Sequence, residues 1–252
     1  MPLDFTLAKF RRLCTCVAQH YPTLTLAEYF QGKDLPARFA MMRHDIDRKP
    51  DNALFTARVE AEAGIRATYY FRRYGSAFRP GIMREIEGMG HEVGYHYEVF
   101  GKAKGDHERA IRMFEHELEE FRKICDVRTI SMHGNPLSKY DDRELWKSHD
   151  FRDFGIVGEA YLSTGLDVKY FSDTGRNWNW KNNMRDLMPA NQDANILEST
   201  DDLIELIKSR KINRPYILTH PERWGKNSVD WGINYLNDLA FNVGKKVLVL
   251  IR

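Results

Sequence analysis

The sequence has few cysteines, no long apolar run and no block of like charges. Its three cysteines, Cys14, Cys16 and Cys125, are too few for the disulfide framework of a small secreted domain. Cys14 and Cys16 lie one residue apart in a predicted helix, where two thiols without a second pair are more typical of packed or surface thiols than of a zinc site. We therefore expect a reduced, cytoplasmic protein.

Charge and hydropathy argue against two further classes of protein. The 38 basic and 36 acidic residues give a net charge of +2, and no basic stretch indicates a nucleic-acid-binding surface. No apolar run reaches the roughly 18–20 residues that a membrane-spanning helix requires. The first residues, MPLDFTLAKFRRLC, place charges where a signal peptide has its apolar core. The sequence thus indicates neither a membrane span nor a nucleic-acid partner.

Predicted strands alternate with predicted helices from residue 37 onwards. The predicted strands are ARFAMMRHDID, ATYYFRR, HEVGYHYE, TISMHGN, RDFGIVGE, KYFSDTG and YILTHPE. This alternation favours a parallel α/β sheet, and about seven strand–helix units favour a barrel over an open sheet. We predict one domain, with a helical extension over 1–36, a barrel core over 37–224 and a C-terminal helix over 225–252. Thr200 is the predicted N-cap of the helix TDDLIELIKSR.

Carboxylates and imidazoles close most of the predicted strands. They are Asp45, Asp47, His96, Glu98, His133, Asp173 and His220. In parallel α/β folds the carboxyl ends of the strands share one edge, and binding sites form there. We therefore expect these side chains to gather at one rim.

The RHDID segment places two carboxylates on one face of a buried strand. Asp45 and Asp47 share that face because strand side chains alternate. Two like charges there need a cation between them, either from the protein, such as Arg43, or a metal ion. Asp and His together suit Zn²⁺ or another divalent transition metal, so one Asp could bind metal while the other acts as a base. Alternatively, the two aspartates cap the next helix or pair with Arg43 and Arg48.

Three segments resemble the polysaccharide deacetylase superfamily (carbohydrate esterase family 4), in the same order along the chain. RHDID is similar to the family's aspartate pair, and GHEVGYHYE is similar to the stretch that leads to a metal-binding histidine. YILTHPERW resembles the late strand that ends in a catalytic histidine. The resemblance runs from about residue 40 to residue 224. It implies a deformed (β/α)₇ barrel that hydrolyses an N- or O-acetyl group on a sugar.

The resemblance also implies roles for single residues. Asp45 matches the family's catalytic base, His220 its general acid, and Asp47 and His96 two of its metal ligands. The family's arginine-proline-tyrosine motif after the fourth strand is replaced by SMHGNP.

The third metal ligand departs from the family's pattern. The family's second metal histidine would fall at Phe100, which cannot bind metal. We predict that His133, at the end of the neighbouring strand, supplies the missing imidazole. Glu98, two residues beyond His96, is the rival.

Six residues near the predicted strand ends are candidate substrate contacts. They are Arg43, Glu98, Asp173, Arg176, Arg223 and Trp224. Asp173 could orient a catalytic group, and Arg176 could bind a phosphate or a carboxylate. Trp178 and Trp180 could stack on sugar rings. The alternative is a loop packed by its own aromatic residues.

These observations predict a zinc-dependent hydrolase that deacetylates an N-acetylated sugar. The sugar would be nucleotide- or lipid-linked, as in the biosynthesis of a surface polysaccharide such as O-antigen or capsule. One alternative is a hydrolase of a small cyclic amide or ureide, which a small, closed pocket would favour. Another is a metal-free carbohydrate-binding protein, which Phe100 would favour. The sequence leaves the oligomeric state open.

Overall fold

The seven parallel strands of this protein form one curled sheet. A computed structural model describes residues 3–32, 34–135, 138–178 and 197–251, with the backbone alone for 241–251. Within this part of the chain the sheet curls into a half-barrel, which is consistent with a deformed (β/α)₇ barrel. The predicted fold class is therefore confirmed.

The strand order places the RHDID segment inside the sheet. The strands are β1 Met41–Ile46, β2 Thr68–Arg72, β3 Glu92–Tyr97, β4 Thr129–Met132, β5 Gly158–Glu159, β6 Lys169–Ser172 and β7 Pro215–Thr219. Their order across the sheet is β5-β4-β3-β2-β1-β7-β6. Because β1 pairs with both β2 and β7, its carboxyl end has neighbours on both sides.

Helices connect the strands and cover the sheet. The α-helices are α1 Leu7–His20, α2 Leu26–Gln31, α3 Pro50–Glu62, α4 Pro80–Gly88, α5 Val99–Lys102, α6 His107–Arg122, α7 Thr200–Lys208 and α8 Ser228–Ile251. Short 3₁₀ helices span Asp142–Lys147, Phe151–Phe154 and Pro221–Arg223. In the described part of the chain, no helix combines the length and the apolar character that crossing a membrane demands.

Local capping chemistry explains where several helices begin. Proline occupies the first turn of α3 and α4, where its missing N–H has no helical partner to lose. The predicted cap of α7 was wrong by one residue. Ser199 accepts from the backbone N–H of Asp202, and the Asp202 carboxylate accepts in return from that of Ser199. This reciprocal pair makes Ser199, rather than Thr200, the N-cap.

The predicted strand RDFGIVGE is correct only at its end. The first part is the 3₁₀ helix Phe151–Phe154, because the Asp150 side chain accepts from the backbone N–H of Arg152 and caps a turn. Gly155 ends the turn with a φ of 70°, a conformation that glycine adopts without steric cost. The strand itself is β5, Gly158–Glu159.

The two faces of the sheet differ in polarity. The outer face packs mainly apolar and aromatic side chains of β1, β2 and β3 against the helices, and His44 on this face lies 2.8 Å from Glu60 of α3. The inner face carries a hydrogen-bonded set that includes Arg43, Asp45 and Thr129. On that inner face, the Tyr70 hydroxyl lies 2.7 Å from Thr129 Oγ1. A Cβ at Gly94 would lie 2.3 Å from the Tyr70 ring, so glycine at this position makes room for the tyrosine. The carboxyl end of this polar face is where the predicted site residues meet.

Candidate metal centre and flanking acid–base groups

Three of the predicted metal ligands lie together at the carboxyl end of the sheet. Asp47 follows β1, His96 belongs to β3 and His133 follows β4. One ligand atom from each lies within 4.8 Å of the others. Asp47 Oδ1 is 3.6 Å from His96 Nε2 and 3.5 Å from His133 Nε2. These residues could therefore hold a metal ion.

Backbone hydrogen bonds orient both imidazoles. His96 Nδ1 lies 2.9 Å from the carbonyl oxygen of Ser131, which can only accept, so Nδ1 carries the proton. The lone pair of His96 is then on Nε2, which faces Asp47. The backbone N–H of His133 donates to Tyr97 O at 2.7 Å and extends the pairing of β4 with β3. This bond places the two imidazole rings 5.2 Å apart, measured between centroids.

Unpartnered polar atoms show that the group fits a metal. Asp47 Oδ1 and both ring nitrogens of His133 are buried and lack a hydrogen-bond partner among the described residues. A buried polar atom left without a partner costs about 1–3 kcal/mol, so such atoms rarely occur together by chance. A divalent ion would bind these atoms, and two imidazoles with one carboxylate are a typical donor set for a transition metal.

The three side chains also have the protonation states that metal binding requires. Burial lowers the pKa of His133 to about 4 and lowers that of His96 as well. Burial alone would raise the pKa of Asp47, but the positive charges that the neighbouring histidines carry when they are protonated, together with that of Arg72, outweigh burial and lower it. At neutral pH the two imidazoles are neutral and the carboxylate is ionised, so no proton has to be displaced.

The structure places His133, rather than Glu98, in this group. Glu98 is buried, and its Oε1 accepts from Arg72 Nε at 3.0 Å and from Arg72 Nη2 at 2.8 Å. Phe100 lies in α5, where its ring packs 4.6 Å from that of His107, measured between centroids. The predicted substitution of the family's second histidine by His133 therefore has the geometry it needs, while its role as a ligand stays a prediction.

Asp45 lies beside the group and is held by Arg43. Arg43 Nε lies 2.8 Å from Asp45 Oδ1, and Arg43 Nη2 lies 2.6 Å from Asp45 Oδ2. Asp45 Oδ2 is also 3.6 Å from His96 Nε2. Burial would raise the pKa of Asp45, but the Arg43 charge outweighs burial and lowers it. Asp45 is thus an ionised carboxylate within reach of a metal ion or water bound by the Asp47–His96–His133 group.

Arg43 has no exposed surface, and further side chains hold its guanidinium from the inside of the half-barrel. Its Nη1 lies 3.3 Å from the Tyr216 hydroxyl, and its Nη2 lies 3.1 Å from the Tyr161 hydroxyl. Ser131 Oγ also accepts from Nη2. The alternative expectation that Asp45 pairs with Arg43 is correct, and this pairing orients Asp45 toward His96.

His220 and Asp173 form a second buried pair at the same edge. His220 Nδ1 lies 2.7 Å from Asp173 Oδ1, and Asp173 also accepts from Arg223 Nη1 at 2.7 Å and from Trp224 Nε1 at 3.1 Å. Burial and the Arg223 charge oppose protonation of His220, but the contacts with Asp173 outweigh them and raise its pKa. His220 is therefore suited to carry a proton close to neutral pH.

The six predicted substrate contacts all have partners inside the protein. Arg43 binds Asp45, Glu98 binds Arg72, and Asp173 is held as described above. Arg176 Nη1 donates to the carbonyl oxygen of Arg223 at 3.0 Å, and it lies 3.2 Å from Asp238 Oδ2. The structure shows these six side chains bonded to other groups of the protein, and their contact with a substrate stays a prediction.

Of the two tryptophans that could stack on sugar rings, the structure describes only Trp178. Trp178 is buried, and its Nε1 donates to Thr200 Oγ1 at 3.1 Å, so it packs inside the protein. Its ring also stacks 6.1 Å from that of Phe5, measured between centroids. Trp180 lies outside the described residues. The aromatic partners of Trp178 are Phe5 and Trp224, which belong to other segments, so the structure does not show the alternative of a loop packed by its own aromatic residues.

Sequence reasoning missed one carboxyl group beside the site. Glu222 follows His220 by two residues and is buried, and its Oε2 lacks a hydrogen-bond partner among the described residues. Burial and the charge of Asp47 raise its pKa to about 7. The segment HPERW contains the signal, because Glu222 closely follows a strand-end histidine. Alternation alone could not assign a face to Glu222, since it lies in a 3₁₀ helix.

Comparisons with known proteins identify no family for this chain, because no protein-family model and no curated protein matches it. The candidate site therefore stands on its own residues. These are three groups that could bind a metal, one ionised carboxylate and one histidine–aspartate pair. Together they can bind a metal ion, accept a proton and donate a proton.

Proposed function

We propose that this protein is a metal-dependent hydrolase that removes the acetyl group of an N-acetylated sugar during surface-polysaccharide biosynthesis. The observation that carries the proposal is the Asp47–His96–His133 group with its unpartnered ligand atoms. The resemblance of RHDID, GHEVGYHYE and YILTHPERW to polysaccharide deacetylases supports the choice of reaction. We place the protein in the cytoplasm, because three unpaired cysteines suit a reducing compartment.

The chemistry follows from the positions of the flanking groups. Asp47, His96 and His133 would hold a divalent ion such as Zn²⁺, which would supply the Lewis acidity that activates water and polarises the acyl carbonyl. Asp45 accepts the proton of the attacking water, and Arg43 keeps its carboxylate ionised and oriented. His220 donates a proton to the departing amine, while Asp173 holds its Nδ1 and fixes the ring. The products are acetate and a free amino sugar.

Metal content is the first test, because it needs no substrate. Wild-type protein should bind about one divalent ion, since a catalytic site has three protein ligands per zinc. We expect Asp47→Ala and His133→Ala to lose that ion and Glu98→Gln to keep it, since Arg72 already holds Glu98. Elemental analysis and zinc titration of the four proteins measure this. If Glu98→Gln lost the metal and His133→Ala kept it, Glu98 would be the ligand and His133 would not.

Acetate release is the second test. We expect acetate from an N-acetylglucosamine-containing probe such as UDP-N-acetylglucosamine when the protein is loaded with zinc. A zinc-loaded protein that opens a cyclic amide but releases no acetate would support the alternative hydrolase. A wild-type protein that binds no ion at saturating zinc would support the metal-free carbohydrate-binding alternative.

A further inference from the structure

A cavity of about 290 Å³ opens beside the candidate metal centre. Two of the residues that line it are Glu98 and Asn135, which follow His96 and His133 by two residues in the chain. The cavity therefore adjoins the carboxyl end of the sheet, where the reaction is proposed to occur. Its volume lies at the lower limit of small-molecule sites, which suits one chemical group or one sugar ring rather than a polymer.

The cavity carries an excess of positive charge. Lys102 and Lys139 both line it. The Glu98 carboxylate on the same wall is already neutralised by the bidentate Arg72 and lies 3.9 Å from Lys102 Nζ. Lys139 has no carboxylate within 4.0 Å in the described part of the chain, and its Nζ lies 5.0 Å from the centroid of the Tyr140 ring. Two lysines thus line a cavity whose buried glutamate is balanced by an arginine, and Lys102 Nζ also lies 3.6 Å from the centroid of the Tyr74 ring.

Asp142, the other acidic residue of the cavity, offsets little of this charge. Its Oδ1 accepts from the backbone N–H of Gly101 at 2.9 Å, and its side chain is buried. Burial raises the pKa of Asp142 to about 7, which favours its uncharged form. Because Arg72 is bonded to Glu98, the two lysines of the lining leave an excess of positive charge.

We propose that this cavity binds the phosphate group of a phosphorylated N-acetyl sugar, with Lys139 and Lys102 as its cations. Lysine ammonium groups bind phosphate as compact point charges, and their adaptable side chains suit a cavity that is open on one side. The inference rests on the proposed function, since it places the phosphate near the acetyl group whose carbonyl the water would attack. Nucleotide-linked and lipid-linked sugars share this phosphate chemistry.

Binding measurements test the cavity without requiring turnover. The probes are N-acetylglucosamine 1-phosphate, UDP-N-acetylglucosamine and neutral N-acetylglucosamine, titrated into purified protein by calorimetry. We expect Lys139→Ala and Lys102→Ala each to weaken binding of a phosphorylated probe about tenfold, the value of one charge-assisted hydrogen bond. Lys139→Arg should retain most of the affinity. Binding of neutral N-acetylglucosamine should be unchanged in all variants.

A matched control separates the cavity from general charge. Lys147, on the 3₁₀ helix Asp142–Lys147, has a side chain that is 75% exposed and lies outside the cavity lining. Lys147→Ala should leave the affinity for the phosphorylated probes unchanged. An equal loss in Lys147→Ala, or no loss in Lys139→Ala and Lys102→Ala, would overturn the proposal.

The same probes distinguish the two possible sources of the phosphate. Tighter binding of UDP-N-acetylglucosamine than of N-acetylglucosamine 1-phosphate would favour a nucleotide-linked substrate, and equal binding would favour a lipid-linked one. The test also separates this proposal from the proposed function. Lysine-dependent binding without acetate release would retain the phosphate site and reject the deacetylase. Acetate release from a neutral N-acetyl sugar that is undiminished in both lysine variants would retain the deacetylase and reject the phosphate site.

Discussion

Asp45 and Asp47 lie two residues apart on the same face of the chain, yet their surroundings differ. Arg43 binds both oxygens of Asp45, whereas Asp47 Oδ1 faces two imidazoles and has no hydrogen-bond partner among the described residues. A carboxylate whose charge is already balanced can accept a proton without binding the metal. A carboxylate with an unpartnered oxygen is the better ligand. This difference supports our proposal that Asp45 is the base and Asp47 a metal ligand.

We predict that substitutions of these two aspartates have different effects. Asp45→Asn should keep its zinc and lose about 10²–10⁴-fold in turnover, because an amide cannot accept the proton of water. It should also unfold at lower denaturant, since Arg43 then remains buried without a counter-charge, at a cost of about 3 kcal/mol. Asp47→Asn should lose zinc affinity and activity together. Zinc titration and acetate release measure both, and much weaker zinc binding in Asp45→Asn would make Asp45 a ligand.

A second prediction at the residue scale concerns the pKa of His220. The raised pKa depends on Asp173, while burial and Arg223 act in the opposite direction. Asp173→Asn should therefore lower the pKa of His220 by about 1–3 units. Because a general acid must be protonated, the alkaline limb of the pH–rate profile should move to lower pH by the same amount. NMR titration of His220 is the direct measurement, and an unchanged pKa would contradict the assigned role of Asp173.

At the scale of elements, the short helix α5 explains why Phe100 cannot simply be replaced by a ligand. α5, Val99–Lys102, begins three residues after His96 and turns Phe100 into the core. There its ring packs against His107 and Tyr140, with centroids 4.6 and 5.8 Å away. The candidate metal centre instead includes His133, which follows Met132 at the end of β4.

We predict that Phe100→His does not restore the family's ligand pattern. The new imidazole would point into the core and lose apolar contacts, so the free energy of unfolding should fall by about 2–4 kcal/mol. Zinc affinity should not change, and His133→Ala should still abolish zinc binding in the Phe100→His background. Denaturant unfolding and zinc titration of the single and double variants measure this. Recovery of zinc binding in the double variant would show that residue 100 reaches the metal.

At the scale of the whole molecule, the candidate site joins strands that are distant in sequence. Its ligands follow or belong to β1, β3 and β4, and the histidine–aspartate pair follows β7 and β6. A ligand that binds only when these strands are assembled must stabilise the assembled state. The metal should therefore contribute to the stability of the entire fold.

We predict that zinc raises the melting temperature of the protein. At a free zinc concentration 100 times the dissociation constant, the gain is about 2.7 kcal/mol. For a chain of this size, that gain corresponds to about 5–10 °C. Asp47→Ala should show no zinc-dependent shift, whereas Asp153→Asn, at an exposed position, should shift like wild type. A shift that persists in Asp47→Ala would place the stabilising ion elsewhere.

The sequence by itself determined most of the strands and the edge at which the polar residues meet. Most strands are apolar runs that a carboxylate or an imidazole ends or follows, although β2 ends in Arg72, and alternation fixes which side chains share a face. Parallel strands bring their carboxyl ends to one edge, so Asp47, His96 and His133 could be placed together before any coordinates were known. The catalytic roles and the family that the motifs resemble remain predictions.

The tertiary structure decided which partner each polar side chain has. The sequence favoured His133 as the third ligand and left Glu98 as its rival, and the structure shows that β2 lies beside β3 and that its Arg72 binds Glu98. Arg43 could have balanced either aspartate, and the tyrosines of neighbouring elements hold it against Asp45. The physical reason is that the alternation of side chains along a strand shows only which face of the sheet each side chain lies on. The partner across that face depends on strand order and on the distances that the folded sheet sets.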